Sequence, residues 1–474
     1  MRYINRKKQL LKNTIIISIG TLSSKIFTFL LLPLYTTYLS TTDYGNVDIL
    51  QIMITLLVPI ITLELGSAVF RLIIEKNSLA EVKEIISSSF VMVTINITIF
   101  CFILLIINNH YNIEYFILFL FGFVTSAIYL IFQNIIRGFG DNILYSICNF
   151  LLIFISLLTN IILILVYNFK GESILIALVS SNTIVIIFIF LKEKLWKYIS
   201  IKYFKLNIVK ELICYSLPLI PNSISWWIVN VSDRIFIFYF LGSANNGIYA
   251  AANKIPVIYT TLYNIFNLAW TESVSRSCND NDKEKFINEI LEKSYKFFGC
   301  LCLGIICCIS LCFDYIIGEN YMESYIHIYI LMIAIFINSL CAMYGGILTG
   351  YKKTKIIGFT TFFGAIINII INLFFIKFIG LYAATISTLI SYLIIMIIRG
   401  YEVSKLLIIS FPINYFFRTF FITLIVTYGY FIKNSKYNLL ILIMLIMWSY
   451  YENKDIFINL IEEVKKKLYG GIKK

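Results

Sequence analysis

Apolar runs of about 20 residues or more follow one another along nearly the whole of this 474-residue chain, each long enough to cross a bilayer as a helix. With 59% hydrophobic and only 14% charged residues, the composition is that of an all-α polytopic membrane protein and excludes a soluble enzyme. Fourteen transmembrane spans are expected, near residues 13 to 39, 44 to 75, 85 to 107, 114 to 137, 142 to 167, 172 to 192, 211 to 241, 245 to 271, 287 to 316, 323 to 350, 355 to 376, 380 to 401, 412 to 432 and 437 to 451.

Lysine and arginine set the expected orientation. With the amino terminus in the cytoplasm, that side collects Arg2, Arg6, Lys7, Lys8 and Lys12, Lys76 and Lys83, and the run from Lys192 to Lys210. It also collects Lys283, Lys285, Lys352, Lys353, Lys355, Lys405 and the basic tail, whereas the opposite loops hold Lys170, Lys377, Lys433 and Lys436. The asymmetry puts both termini in the cytoplasm, and it accounts for most of the formal charge of +13 without a nucleic-acid partner. The basic amino-terminal segment runs straight into the first span with no small-residue cleavage site, so no removable signal peptide is expected.

The chain reads as built twice. An offset of 212 places Arg137-Gly138 over Thr349-Gly350 and Asn160 over Asn372; an offset of 202 places Leu39 over Leu241 and Gly45 over Gly247. Each half holds six spans, and an even number relates the halves by an axis along the membrane normal, a parallel repeat. The expected organisation is an amino-terminal lobe over 1–205, a second lobe over 206–405, two extra helices over 406–454 and an amphipathic basic tail over 455–474. In that tail Phe457, Leu460, Ile461, Val464 and Leu468 face away from the lysines, which suits the inner membrane surface or a solvated helical end.

Polar residues inside the spans are few and grouped. The seventh span sets Asp233 beside Arg234 after Pro218 and Pro221, two prolines able to break or bend it. A charge at bilayer centre costs about 2.5–3.5 kcal/mol even on insertion scales, so such helices turn it toward a protein-lined wet cavity. Ser18, Thr21, Lys25 and Thr28 share a face of the first span; Asp48, Gln51, Thr55 and Thr62 share one of the second. Asn222, Ser225, Val229 and Asp233 do so in the seventh, and Thr260, Asn264, Asn267 and Thr271 in the eighth. Lys25, Arg234 and Lys254 are the deep cations, and Arg71, Arg137 and Arg276 lie nearer the cytoplasmic face. Arg234 has a second reading as a local partner of Asp233 or a helix-end anchor, and Lys25 as a snorkelling residue. Asp48, Glu64 and Asp233 are the deep acids able to take a proton or Na⁺, unless each balances a nearby cation. Most of the ten cysteines lie within spans as small packing residues, and His110 and His327 are expected at interfaces near outer helix ends. No phosphate-binding Gly-rich loop is present and no cofactor is expected; a proton or Na⁺ gradient is the expected energy source.

ELGSAVFR (Glu64 to Arg71), SLPLIPN (Ser216 to Asn222), VSDRIFIFYFLGSANNGIYAAANK closing the seventh span, Ala269-Trp270, and Thr349 to Thr388 give the chain a resemblance. It resembles the Wzx-type oligosaccharide flippases of the polysaccharide biosynthesis family, in the MATE-like MOP superfamily, from about Lys12 to Tyr401. The resemblance implies alternating-access movement of a polyprenyl-diphosphate-linked oligosaccharide from the cytoplasmic to the outer leaflet of a bacterial cytoplasmic membrane, for O-antigen, capsule or exopolysaccharide. A cationic cavity suits such a head group, with Lys25 and Arg234 expected on the phosphates. Membrane lipids, a polysaccharide polymerase and glycosyltransferases are the expected neighbours, and a monomer the expected state. A multidrug antiporter of the same superfamily shares the topology but is expected to line its cavity mainly with acids; a lipid II or sporulation-type flippase differs in cargo alone. A membrane polymerase or glycosyltransferase needs catalytic carboxylates or a sizeable extramembrane loop. The outer loops here are only a few residues long and the one longer loop is basic and expected in the cytoplasm, so no enzyme is expected.

Overall fold

A computed structural model describes residues 27–76, 78–278, 280–409 and 413–455. Every extended element among them is helical: α1 (Phe27–Tyr38), α2 (Thr41–Ile61), α3 (Leu65–Glu75), α4 (Leu79–Tyr111), α5 (Phe116–Gly138), α6 (Asn142–Leu165), α7 (Glu172–Lys192) and α8 (Leu206–Ser216). The series continues with α9 (Ile220–Leu241), α10 (Ser243–Ser277), α11 (Lys283–Ile316), α12 (Ser324–Gly350), α13 (Thr354–Ile379), α14 (Leu381–Ser404), α15 (Ile413–Ile432) and α16 (Ser435–Glu452). Ten of these helices are long and apolar enough to cross a membrane, and helix stands at each of the fourteen expected spans, the first described from Phe27 onward. The expected tail helix beyond Asp455 lies outside the described residues.

The second expected span departs from one continuous helix. Pro59 has no N–H for the Thr55 carbonyl and its ring crowds that group, and α2 ends two residues later. Leu63 and Glu64 then take left-handed backbone conformations, φ 49° and 55°, before α3 begins. Each such residue without glycine's freedom costs about 1–2 kcal/mol, so packing holds the break in place. The seventh span breaks as its prolines predict: α8 passes through a 3₁₀ turn, Leu217–Leu219, into α9, with Pro218 and Pro221 at first-turn positions where a missing N–H leaves nothing unpaired.

The chain forms two compact units. The first comprises residues up to Lys254 together with Asn372–Leu381; the second comprises Ile255–Ile371 and the chain from Tyr382. These units follow packing, whereas the lobes over 1–205 and 206–405 follow repetition in the sequence. Within the first unit α7 packs on α5 and α6, α5 on α2 and α3, α3 on α8, and α2 on α9. The beginnings of α2 and α10 cross so closely that a Cβ on Gly45 would collide with the Ser243 carbonyl oxygen, and one on Gly247 with that of Thr41. Thr41 and Ser243 stand in the same offset of 202 as the two glycines, so the crossing is reciprocal and only glycine fits at either position.

In the second unit α11 packs on α12, α15 and α16. Glu452, with 3% of its side chain exposed, forms ion pairs with Arg418 at 3.0 Å and with Lys296 at 3.8 Å, which ties both extra helices to α11. His110 is exposed in the last turn of α4, and His327 stands near the start of α12. Its ring is fully buried and meets Tyr382 edge-on at 5.0 Å, because α14 covers that face of α12.

Candidate functional site

The first unit gathers three of the sequence's deep charges around the start of α2 and the second half of α9. Asp48 lies two turns into α2, about 10 Å along its axis. Ser40 starts that helix, its Oγ accepting the Asp43 N–H at 3.0 Å. Arg234 donates through one guanidinium nitrogen to both Asp48 carboxylate oxygens, at 2.8 and 3.1 Å. Asn246, fully buried on α10, donates to the Gly45 carbonyl at 2.9 Å and reaches Asp48 Oδ2 at 3.4 Å. The glycine crossing that brings α10 against α2 therefore also delivers a donor to the acid.

Arg234 thus pairs with Asp48 across α9 and α2, not with its neighbour Asp233. Adjacent helical residues point about 100° apart, so Asp233 turns elsewhere. It accepts from Tyr249 at 3.0 Å and from Asn372 at 2.8 Å. Burial in the pair is unequal: 5% of the Asp48 side chain is exposed against 19% for Arg234.

Glu64, at the break between α2 and α3, is half-buried and bonded to hydroxyls. Ser223 donates to one carboxylate oxygen at 2.5 Å and Ser67 to the other at 3.4 Å. Among the described residues no lysine or arginine lies within ion-pair distance of it. Trp227 of α9 binds the same helix, its indole N–H reaching Ile52 O at 3.3 Å and Thr55 Oγ1 at 3.2 Å.

The remaining expected residues do not converge on one point. Lys25 lies outside the described residues, as does the side chain of Asn222 in the first turn of α9. Lys254 is half-buried on α10. Arg71 is exposed and pairs with Glu75 on its own helix at 2.6 Å, and Arg276 likewise pairs with Glu272. Arg137 takes neither course: its guanidinium lies over the Phe70 ring at 4.6 Å and near the Tyr145 ring at 5.5 Å. Asn264 and Asn267 belong to the second unit, the first exposed and the second accepting from Tyr263 one turn earlier at 3.3 Å.

Arg399 is a buried charge that the sequence reading passed over. It is 7% exposed in the second unit and donates to Thr360 Oγ1, Cys341 O, Thr361 Oγ1 and Ile357 O at 3.0, 3.0, 2.8 and 3.3 Å. A lone arginine five residues before the end of α14 reads as an interfacial anchor; only the acceptors on α12 and α13 reveal a buried clamp.

Residues 10–271, more than half of the chain, match the family model described as polysaccharide biosynthesis protein. The chain belongs to that family. Among curated proteins no sequence matches it. Among solved structures, this member of the polysaccharide biosynthesis family is similar to a lipid II flippase MurJ in an inward closed conformation. The TM-score is 0.69 at 17% identity, covering 94% of this chain and 100% of that one. It is also similar to an inward-facing multidrug resistance MATE family transporter of the MOP superfamily, with TM-score 0.62, 16% identity and coverage of 82% and 95%. The Vibrio cholerae MATE transporter VcmN gives TM-score 0.54, 13% identity and coverage of 84% and 97%. At these identities the likeness establishes the fold that the chain shares with these proteins and not what it carries.

Proposed function

We propose that this protein is a flippase for polyprenyl-diphosphate-linked oligosaccharide. It carries the unit from the cytoplasmic to the outer leaflet of a bacterial cytoplasmic membrane by alternating access, with both its termini in the cytoplasm. The product feeds a surface polysaccharide. Family membership and the transporter fold support the class, and the lysine asymmetry supports the orientation.

The observation that carries the reading is the unequal burial of the Asp48–Arg234 pair. A cationic drug needs an accessible acid, but here the acid is closed off and the guanidinium is the more open partner. A diphosphate suits that arrangement, because guanidinium binds phosphate through several charge-assisted hydrogen bonds and can exchange one anionic partner for another. Coupling falls to Glu64. Its carboxylate meets hydroxyls and, among the described residues, no basic residue within ion-pair distance, so it is a deep acid not engaged with a cation. Asp48 is committed to Arg234, and Asp233 accepts from Tyr249 and Asn372.

Deletion of the gene in its own host provides the test. The expected result is accumulation of polyprenyl-diphosphate-linked oligosaccharide in the cytoplasmic leaflet with loss of surface polysaccharide. Unchanged lipid-linked glycan together with new drug sensitivity would contradict the proposal and leave the multidrug antiporter standing.

A further inference from the structure

The site around Arg234 leaves a second polar face in the first unit unused. Tyr129, Gln133 and Arg137 follow one another at four-residue steps on α5, and Tyr145 and Asn149 do so on α6, so each helix presents them along one side. The two helices run antiparallel through a short turn, which makes rungs of them. Gln133 meets Asn149 on one rung and Arg137 meets Tyr145 on the next, about 6 Å further along the axis.

On the inner rung the Asn149 amide oxygen accepts twice, from the Tyr129 hydroxyl at 2.9 Å and from the Gln133 amide at 2.9 Å. Gln133 also lies 3.4 Å from the Tyr129 oxygen. These bonds hold both amides in place and leave the Asn149 NH₂ and the Gln133 carbonyl oxygen with no described protein partner. All three side chains are half-buried. On the outer rung Arg137, also half-buried, rests between two aromatic rings with no carboxylate in ion-pair distance among the described residues. Its forked donors are oriented by the rings and not consumed by an acid.

Lipid does not explain this face. The exposed large apolar residues in the first half of α6 are Ile143, Ile147, Phe150 and Phe154, on the opposite side of the helix from Tyr145 and Asn149. A pair of pre-set amides beside a ring-braced guanidinium has the chemistry to recognise a sugar joined to a phosphate. The amides offer donors and an acceptor to hydroxyl or acetamido groups, and the guanidinium takes the phosphate oxygens one turn away.

We infer that Arg137, Gln133, Asn149 and Tyr129 form a head-group subsite that reads the first sugar of the cargo together with its diphosphate. The inference rests on the flippase reading and names residues that set its selectivity. Arg137 loads the diphosphate at the end of α5, and the amide rung distinguishes a glycosylated lipid from a bare one.

The test is lipid binding to the purified full-length protein, by native mass spectrometry and thermal shift. The probes are polyprenyl diphosphate, polyprenyl diphosphates bearing N-acetylglucosamine or galactose, and phosphatidylglycerol. Wild type is expected to prefer the diphosphates to phosphatidylglycerol and at least one glycosylated lipid to the bare one. Arg137→Gln is expected to weaken every diphosphate at least tenfold, with Arg137→Lys recovering part of the loss. Gln133→Leu and Asn149→Leu are expected to abolish the sugar preference while leaving bare diphosphate binding within twofold; Tyr129→Phe, which keeps the ring, loosens the rung with a smaller loss. A folded Arg137→Gln protein that binds diphosphates as wild type does would overturn the subsite, as would amide variants that keep the sugar preference. Equal displacement of phosphatidylglycerol and the diphosphates by Arg137→Gln would show an ordinary lipid contact and overturn it too. Wild type that binds no polyprenyl diphosphate would instead remove the flippase reading, and the subsite with it.

Discussion

Two arginines of this membrane protein, Arg234 half-buried and Arg399 buried, are held in opposite ways. Arg234 in the first unit faces a carboxylate, Asp48, on a side chain that can rotate away. Arg399 in the second unit faces two backbone carbonyls and two threonine hydroxyls from α12 and α13. Carbonyls within a helix cannot leave without disturbing it, so Arg399 is a fixed clamp. A cation held by one mobile acid can be handed to another anion, and that is what a carrier of diphosphates requires. Burying a charge serves structure or transport according to whether its partner can be exchanged.

Mutations can break that contrast. Asp48→Ala strands the Arg234 charge and is expected to have the largest effect, about 3–5 kcal/mol of folded-state stability with loss of glycan export. The double variant with Arg234→Ala should lose clearly less than the sum of the singles in detergent unfolding; additive losses would mean that the pair does not interact. Arg399→Ala should cost about 3 kcal/mol in the same assay through lost packing and charged hydrogen bonds. Its protein should still bind polyprenyl diphosphate with wild-type affinity once folded; a selective binding defect would move Arg399 from clamp to site. Gly45→Ala forces the crossing of α2 and α10 apart and should cost about 1–3 kcal/mol, carrying Asn246 away from Asp48. Thr360→Val removes one of four acceptors around Arg399, with an expected cost of about 0.6 kcal/mol, the mean for such bonds within membranes. Arg71→Ala and Arg276→Ala disturb exposed pairs within single helices and should change stability by less than about 0.5 kcal/mol.

The helices were legible in the sequence and their partners were not. Hydropathy and loop lysines mark fourteen helices because burial in lipid is paid residue by residue along the chain. The Asp233-Arg234 dipeptide invites a local pair, yet the partner of Arg234 lies 186 residues earlier. Only the crossing of α2 with α9 and α10 brings it near. Gly45 and Gly247 were visible as a repeated pair, but nothing in the sequence shows that they meet each other. Pro59 announces the end of α2, whereas the left-handed turn that presents Glu64 is a tertiary result. Tyr129, Gln133 and Arg137 show helical spacing in the sequence; their grouping with Asn149 needs α6 beside them.

Reconstitution tests the central claim most directly. Purified protein in sealed proteoliposomes, loaded with polyprenyl-diphosphate-linked oligosaccharide from the deletion strain, can be probed with a glycan-cleaving enzyme added outside. The account predicts that the protected half of the glycan becomes cleavable in vesicles holding the wild-type protein and stays protected in vesicles holding Arg234→Ala. Protection that persists with the wild-type protein, under a proton or Na⁺ gradient of either sign, would contradict it.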